Sequence, residues 1–215
     1  MDLPVLTEKR VVGAGYRLKA VCPYCHSKER DRFIFLYLDR VCPWVFAREI
    51  TLLHVAPEPR LADMLRAARN IRYVSADLNS PMADERMDIT DIRKPDNSFD
   101  VIICNHVLEH VEDDRKAMAE LFRVLKPGGF AILQVPISYL MDFTYEDFSI
   151  RDGAGREQAF GQNDHVRIYG QDYPRRLSEA GFSISAVSPT DFLDPESVTS
   201  YCLMPEEKLF LGAKG

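Results

Sequence analysis

The sequence predicts an α/β protein built on a doubly wound, mostly parallel sheet, and three observations carry that reading. The best strand candidates are Val101 to Cys104, an unbroken apolar run, and Ala131 to Val135, apolar except at Gln134. A strand reads that way when both its faces are covered, as in a parallel sheet flanked by helices. Between Phe99 and Pro136 the order is strand, polar loop, amphipathic helix, Pro-Gly-Gly turn and strand, the sequence of a βαβ unit. Strand and helix patterns alternate through most of the rest, with no internal repeat or low-complexity stretch.

The elements follow in order. Arg30 to Val41 reads as a helix, with Phe33, Leu36, Tyr37 and Val41 near 3.6-residue spacing. Thr51 to Val55 is a short apolar strand that runs into Ala56-Pro57-Glu58-Pro59. That loop is not helix interior, because Pro59 excludes helical geometry at Glu58. Leu61, Leu65 and Ala68 mark one face of the next helix. Ile71 to Ala76 is a strand ending at Asp77, Arg86 to Ile89 is a weaker one, and Pro95 to Ser98 form a turn. Met118, Leu121, Phe122 and Leu125 recur at helical spacing, so a helix from Asp113 to Leu125 packs on the sheet and Pro127-Gly128-Gly129 ends it. Ser138 to Gly170 lacks periodicity and reads as an irregular lid or substrate loop. A helix over Tyr173 to Ala180, closed by Gly181, precedes strands at Phe182 to Val187 and Lys208 to Ala213. A link without a helix between those two implies an antiparallel pair at one edge of the sheet.

At 215 residues, with 46% hydrophobic and 28% charged, the chain suffices for one well-buried α/β domain. We divide it into an extension over residues 1–50 and a main domain over residues 51–215. No apolar run is long enough to cross a membrane, and the first residues do not resemble a secretory signal. Five cysteines, with Cys104 inside a core strand, suit a reducing cytoplasm. A net charge of -6 argues against non-specific binding of nucleic acid.

The block from Phe99 through Asn105-His106-Val107-Leu108-Glu109-His110 to Leu125-Lys126-Pro127-Gly128-Gly129 resembles the fourth-to-fifth-strand region of class I S-adenosylmethionine-dependent methyltransferases of the small-molecule, type 11-like kind. The resemblance covers about Thr51 to Phe182 and implies a Rossmann-like sheet of seven strands with an antiparallel edge strand. It implies S-adenosylmethionine as cofactor, with Asp77 on the ribose hydroxyls, Asp88 on the adenine amino group and Ile89 stacked on the ring. Ala56, Glu58, Leu78, Asn105 and His106 complete the expected cofactor contacts. The family's first loop carries an acid and glycines; here His54, Ala56 and Glu58 stand in their places. Glu58 is the residue expected to meet the cofactor's ammonium group.

A neutral histidine has a pKa suited to a general base, so His110 and His165 are the expected catalytic residues. The segment Asp164-His165-Val166-Arg167-Ile168-Tyr169 resembles one common in small-molecule methyltransferases. A turn starting at His106 would set His106, Glu109 and His110 on one side. That spacing suits a metal ion and a solvated face equally, and no metal site is assigned to it. Cys22-Pro23-Tyr24-Cys25-His26 is half of a zinc knuckle and lacks an evident second half. The alternatives to the enzyme are a methyltransferase-like binding or scaffolding domain without catalysis, and a zinc-dependent nucleic-acid-modifying protein.

Overall fold

The computed structural model describes residues 3–215. In chain order the elements are α1 (Pro4–Glu8), β1 (Val11–Val12), α2 (Glu29–Arg40), β2 (Ile50–Val55), α3 (Pro59–Ala67), β3 (Ile71–Asp77), β4 (Glu85–Arg86), β5 (Phe99–Cys104), α4 (Asp114–Val124) and β6 (Leu125–Ile132). They continue with β7 (Ile137–Ser138), β8 (Tyr145–Glu146), α5 (Gly153–Phe160), β9 (Arg167–Ile168), α6 (Tyr173–Glu179), β10 (Ser183–Val187), α7 (Pro195–Ser200) and β11 (Leu209–Ala213).

Seven strands form the main sheet in the order β10-β11-β6-β5-β2-β3-β4. The run from β6 to β4 is parallel, and β11 pairs antiparallel with both β6 and β10. The doubly wound, mostly parallel sheet with an antiparallel edge is therefore present. Side chains of a strand alternate between faces, and here each face has its own core. Leu53, Val55, Ile102 and Cys104 pack with Met118 and Leu121 of α4 and Leu177 of α6. Their neighbours Leu52, Val101 and Ile103 pack on the other face with Phe33 and Ile34 of α2 and Leu61 and Leu65 of α3. Fully burying one such side chain is worth about 1.5–3 kcal/mol, which explains why apolar runs and not alternating patterns mark these strands. The helix predicted in the extension thus shares a core with the sheet, and β1 pairs with β7.

Three expectations need correction. Pro127-Gly128-Gly129 does not precede the strand; it lies inside β6, which ends at Ile132 and not Val135. Gly128 takes φ +77, and a Cβ on Gly129 would lie 2.6 Å from the Asp100 carbonyl oxygen, so the glycines let the kinked strand approach β5 across a register shift. The link between the last two strands is not free of helix, since α7 lies in it and Val198 enters the core. The weak strand at Arg86 to Ile89 is reduced to Glu85–Arg86 at the sheet edge. Within Ser138 to Gly170 the structure adds the β8–β9 pair and α5. The cue for α5 was its ends: Asp152 caps the N-terminus through Gly155 N–H, and Gly161 closes it at φ +87.

Candidate functional site

Ligands of open α/β sheets sit beyond the carboxyl ends of the strands. There β2 gives way to Ala56 and β5 to Asn105 and His106. Ala56 (φ +46) and His106 (φ +52) both hold the left-handed conformation, which costs an L-residue about 1–2 kcal/mol. Main-chain hydrogen bonds impose it: Ala56 N–H donates to Ala76 O and His106 N–H to Gln134 O, each at 2.8 Å. The first loop therefore keeps the backbone path that glycine would supply, without glycine.

A cavity of about 480 Å³ opens against these residues, lined by Ala56, Asp77, Leu78, Asp88, Ile89 and His106 among others. Asp77 spends Oδ1 on the amides of Asn79 and Ser80, both at 2.7 Å. Asp88 spends Oδ1 on the amide and hydroxyl of Thr90, both at 2.8 Å, and these bonds hold its carboxyl below the usual range. Each carboxylate is thus fixed through Oδ1, and no hydrogen bond to Oδ2 is found among the described residues.

A second cavity of about 570 Å³ lies beside the first. Gly13 to Gly15 and Arg17 from the N-terminal segment line it, as do Arg30 from α2 and Glu157 to Gln162 around the end of α5 in part. His106 and His110 line both cavities, while Glu109 and His165 line only the second. Glu109 is 2% exposed. Its Oε1 is 3.4 Å from His106 Nδ1. Burial pushes the Glu109 carboxyl up, but His106 and the nearby imidazoles of His110 and His165 outweigh it and hold it below its usual range. Burial lowers the pKa of His106 and of His165, against the opposing pull of the Glu109 carboxylate. The rings of His110 and His165 meet edge to face at 4.6 Å.

Glu58 and Asn105 line neither cavity. Glu58 turns inward: Oε2 is 2.9 Å from His54 Nε2, Oε1 accepts from Asn105 Nδ2 at 2.7 Å, and Arg30 Nε stands 3.7 Å away. Burial alone would raise its pKa, yet these donors lower it to about 2. The expectation that Glu58 points at a cofactor ammonium thus meets a carboxylate already committed to ties within the protein, which join the first loop to β2, β5 and α2.

Sequence reasoning also missed Arg167. Its side chain is wholly buried. Nη1 donates to the carbonyls of Leu108, at 2.9 Å, and Val111. Nη2 donates to Glu112 O at 2.8 Å and Nε to Glu146 Oε2 at 2.9 Å. One guanidinium thereby clamps the 3-10 turn Leu108–His110 that carries Glu109 and His110. Arg176 extends the network to Asp114 and Glu146, both at 2.9 Å. The cue was an arginine between Val166 and Ile168 on a short strand, where no solvated face was available.

Cys22 and Cys25 lie in a tight hairpin closed by the Val21–Lys28 bridge. Hydrogen bonding to Ser27 lowers the Cys25 thiol to about 7. All five cysteines are free. Among the described residues the one group of three ligating side chains close enough to share a metal is Glu109, His110 and His165. It includes His165 in the place where the sequence pointed to His106.

A family model described as a methyltransferase domain matches residues 40–133. The chain is 35% identical over 83 residues to the ubiquinone/menaquinone biosynthesis C-methyltransferase UbiE of Idiomarina loihiensis, a stretch that is 37% of this chain and 29% of that protein. It is 31% identical over 104 residues to an uncharacterized 37.1 kDa protein in transposon TN4556 of Streptomyces fradiae, 47% of this chain and 29% of that one. The matched stretches therefore span less than a third of these curated relatives. Among solved structures, a SAM-dependent methyltransferase from Archaeoglobus fulgidus superposes with a TM-score of 0.54 at 11% identity, over 86% of this chain and 94% of that one. The [4+2]-cyclase SpnF superposes with a TM-score of 0.53 at 18% identity, over 98% of this chain and 94% of that one. At such identities the two structures speak for the fold alone. The segment over residues 40–133, which is similar to the methyltransferase-domain family, carries the strands that build the first cavity, and the rest of the sheet completes the fold that the solved methyltransferase structure shares.

Proposed function

We propose that this protein transfers a methyl group to a small-molecule acceptor held in the second cavity while the cofactor's nucleoside occupies the first. S-Adenosylmethionine is the cofactor that the similarity to the methyltransferase-domain family implies, and it supplies an electrophilic methyl group on a sulfonium. The observation that carries the reading is that two cavities of different chemistry meet at His106 and His110.

The residues present fit that cofactor. Asp77 and Asp88 each keep a free carboxylate oxygen for the ribose hydroxyls and the adenine amino group, Ile89 offers an apolar face, and Ala56 bends the backbone away as glycine would. Leu78 and His106 complete that wall. On the acceptor side, His110 and His165 are the groups that receive or direct the acceptor's proton. Asn105 and Glu58 serve from behind by holding the first loop. Positioning supplies much of the acceleration in an in-line displacement, and the N-terminal segment and α5 keep the acceptor side enclosed. No helix among the described residues is long and apolar enough to cross a membrane. Five free thiols fit a reducing compartment, and we read the protein as cytoplasmic.

Calorimetric titration with S-adenosylmethionine and S-adenosylhomocysteine tests the reading. Asp77→Ala and Asp88→Ala are each expected to weaken binding by about 1.5–3 kcal/mol, the range for hydrogen bonds to a charged group. Unchanged affinity in folded variants would remove both carboxylates from the site. Tight binding with no transfer to any acceptor would favour the binding-domain alternative.

A further inference from the structure

We propose that Glu109, His110 and His165 form a binding site for a divalent transition-metal ion, with zinc as the first candidate, and that this ion holds an oxygen of the acceptor. The inference rests on the reading of the second cavity as the acceptor chamber. The three side chains offer ligand atoms that all lie within 4.8 Å of one another. A tetrahedral ion with bonds of about 2.0–2.1 Å keeps its ligands about 3.4 Å apart, so side-chain movement of the order of an ångström closes the set.

Three further features are those of a metal site. Glu109 is 2% exposed and its Oε2 has no hydrogen-bond partner. A buried carboxylate oxygen without a donor is costly unless a cation meets it. The second feature concerns the imidazoles. His110 Nδ1 is 3.3 Å from Asp164 Oδ2, and His165 Nδ1 is 3.4 Å from Phe160 O. Metal-bound histidines commonly give their other nitrogen to a carboxylate or carbonyl, which sets the tautomer. Here that pairing leaves Nε2 of each ring as the unengaged nitrogen. The third feature is rigidity. Val166 N–H donates to Glu109 O at 2.9 Å, and Arg167 clamps the turn that carries Glu109 and His110. The segment bearing His165 is thus bound to the segment bearing the other two ligands.

Two histidines and a carboxylate suit zinc and other first-row ions and leave coordination positions open. All three side chains line the second cavity, so an acceptor in that chamber has access to those positions. An acceptor hydroxyl on the ion would lose its proton to water and stay bound as an oxyanion. In that role the two histidines direct the acceptor's proton by holding the ion and do not receive it themselves, and acceptors with a hydroxyl or enol oxygen become the expected substrate class.

The test uses the full chain, stripped with a chelator and titrated with Co²⁺, whose visible ligand-field absorption reports coordination. About one equivalent should bind. Glu109→Gln and His165→Ala should each weaken binding by more than the 10–100-fold typical of losing an outer-sphere partner. A Cys22→Ser/Cys25→Ser variant should bind as the unmodified chain does. Absence of a cobalt spectrum in the unmodified chain overturns the proposal whether or not the variants fold. Binding that survives His165→Ala and disappears in the cysteine variant overturns it too. S-Adenosylmethionine affinity is measured on the same samples. Cofactor binding without metal sinks this inference alone, whereas metal binding without cofactor sinks the methyltransferase reading.

Discussion

Replacing Arg167 by alanine is expected to destabilise the protein by about 3–5 kcal/mol, the usual cost of removing one member of a buried charged network. The loss is large because one guanidinium satisfies the carbonyls of Leu108, Val111 and Glu112 together with the Glu146 carboxylate. Without it the carbonyls of Val111 and Glu112 lose their donor, while Leu108 O keeps Tyr169 Oη at 3.3 Å and Glu146 keeps Arg176 at 2.9 Å. At about 2–4 °C per kcal/mol for a chain of this size, Tm should fall by about 6–20 °C. Arg167→Lys is expected to recover little, since an ammonium cannot present a planar fork to acceptors on two segments. Urea unfolding of the two variants measures the effect. A loss below about 1 kcal/mol would show that the turn at Leu108–His110 holds its shape unaided.

Glu58→Ala is expected to cost about 3–5 kcal/mol as well, by leaving His54, Asn105 and Arg30 facing a gap. Glu58→Gln keeps the shape and should cost less, about 1–3 kcal/mol, because a neutral acceptor bonds more weakly. The pH dependence separates charge from shape. The carboxyl's pKa is lowered from 4.5 to about 2 on folding, so its charge stabilises the native state fully above pH 4.5. That contribution fades as pH falls from 4.5 through about 2. The gap between the unmodified protein and Glu58→Gln should therefore be constant at neutral pH and shrink in acid. A gap that does not change between pH 7 and pH 3 would mean that packing, not charge, governs this position.

What was legible in the chain follows from where the physics is local. The unbroken apolar run Val101–Cys104, and the run at Ala131–Val135 apolar except at Gln134, declared a sheet covered on both faces, and the two cores confirm it. Asp77, Asp88 and Ile89 sit where strand ends put them and meet in one cavity. The first loop was harder. Ala56 stands where the resembled family has glycine, and tertiary hydrogen bonds nevertheless hold it at φ +46. The direction of Glu58 depends on Arg30 and Asn105, far away in the chain, and no local pattern encodes that. The helix α5 lacks apolar periodicity and was visible only in its caps. In β6, Pro-Gly-Gly has the residues of a turn and the position of a kinked strand, a choice that pairing with β5 and the C-terminal residues decides. Arg167 was hidden because burial of an arginine is exceptional, and its partners are carbonyls, which leave no trace in the order of side chains.

The pairing of Val11 and Val12 with Ser138 and Ile137 bears on the order of assembly. The strands beneath the first cavity lie between Ile50 and Ile132, so they meet after short or moderate loop closures. The β1–β7 pair beside the second cavity joins the start of the chain to a strand past its middle, a contact of high order and correspondingly slow formation. The expected order of assembly is therefore that the strands around the first cavity pair before this contact closes over the second.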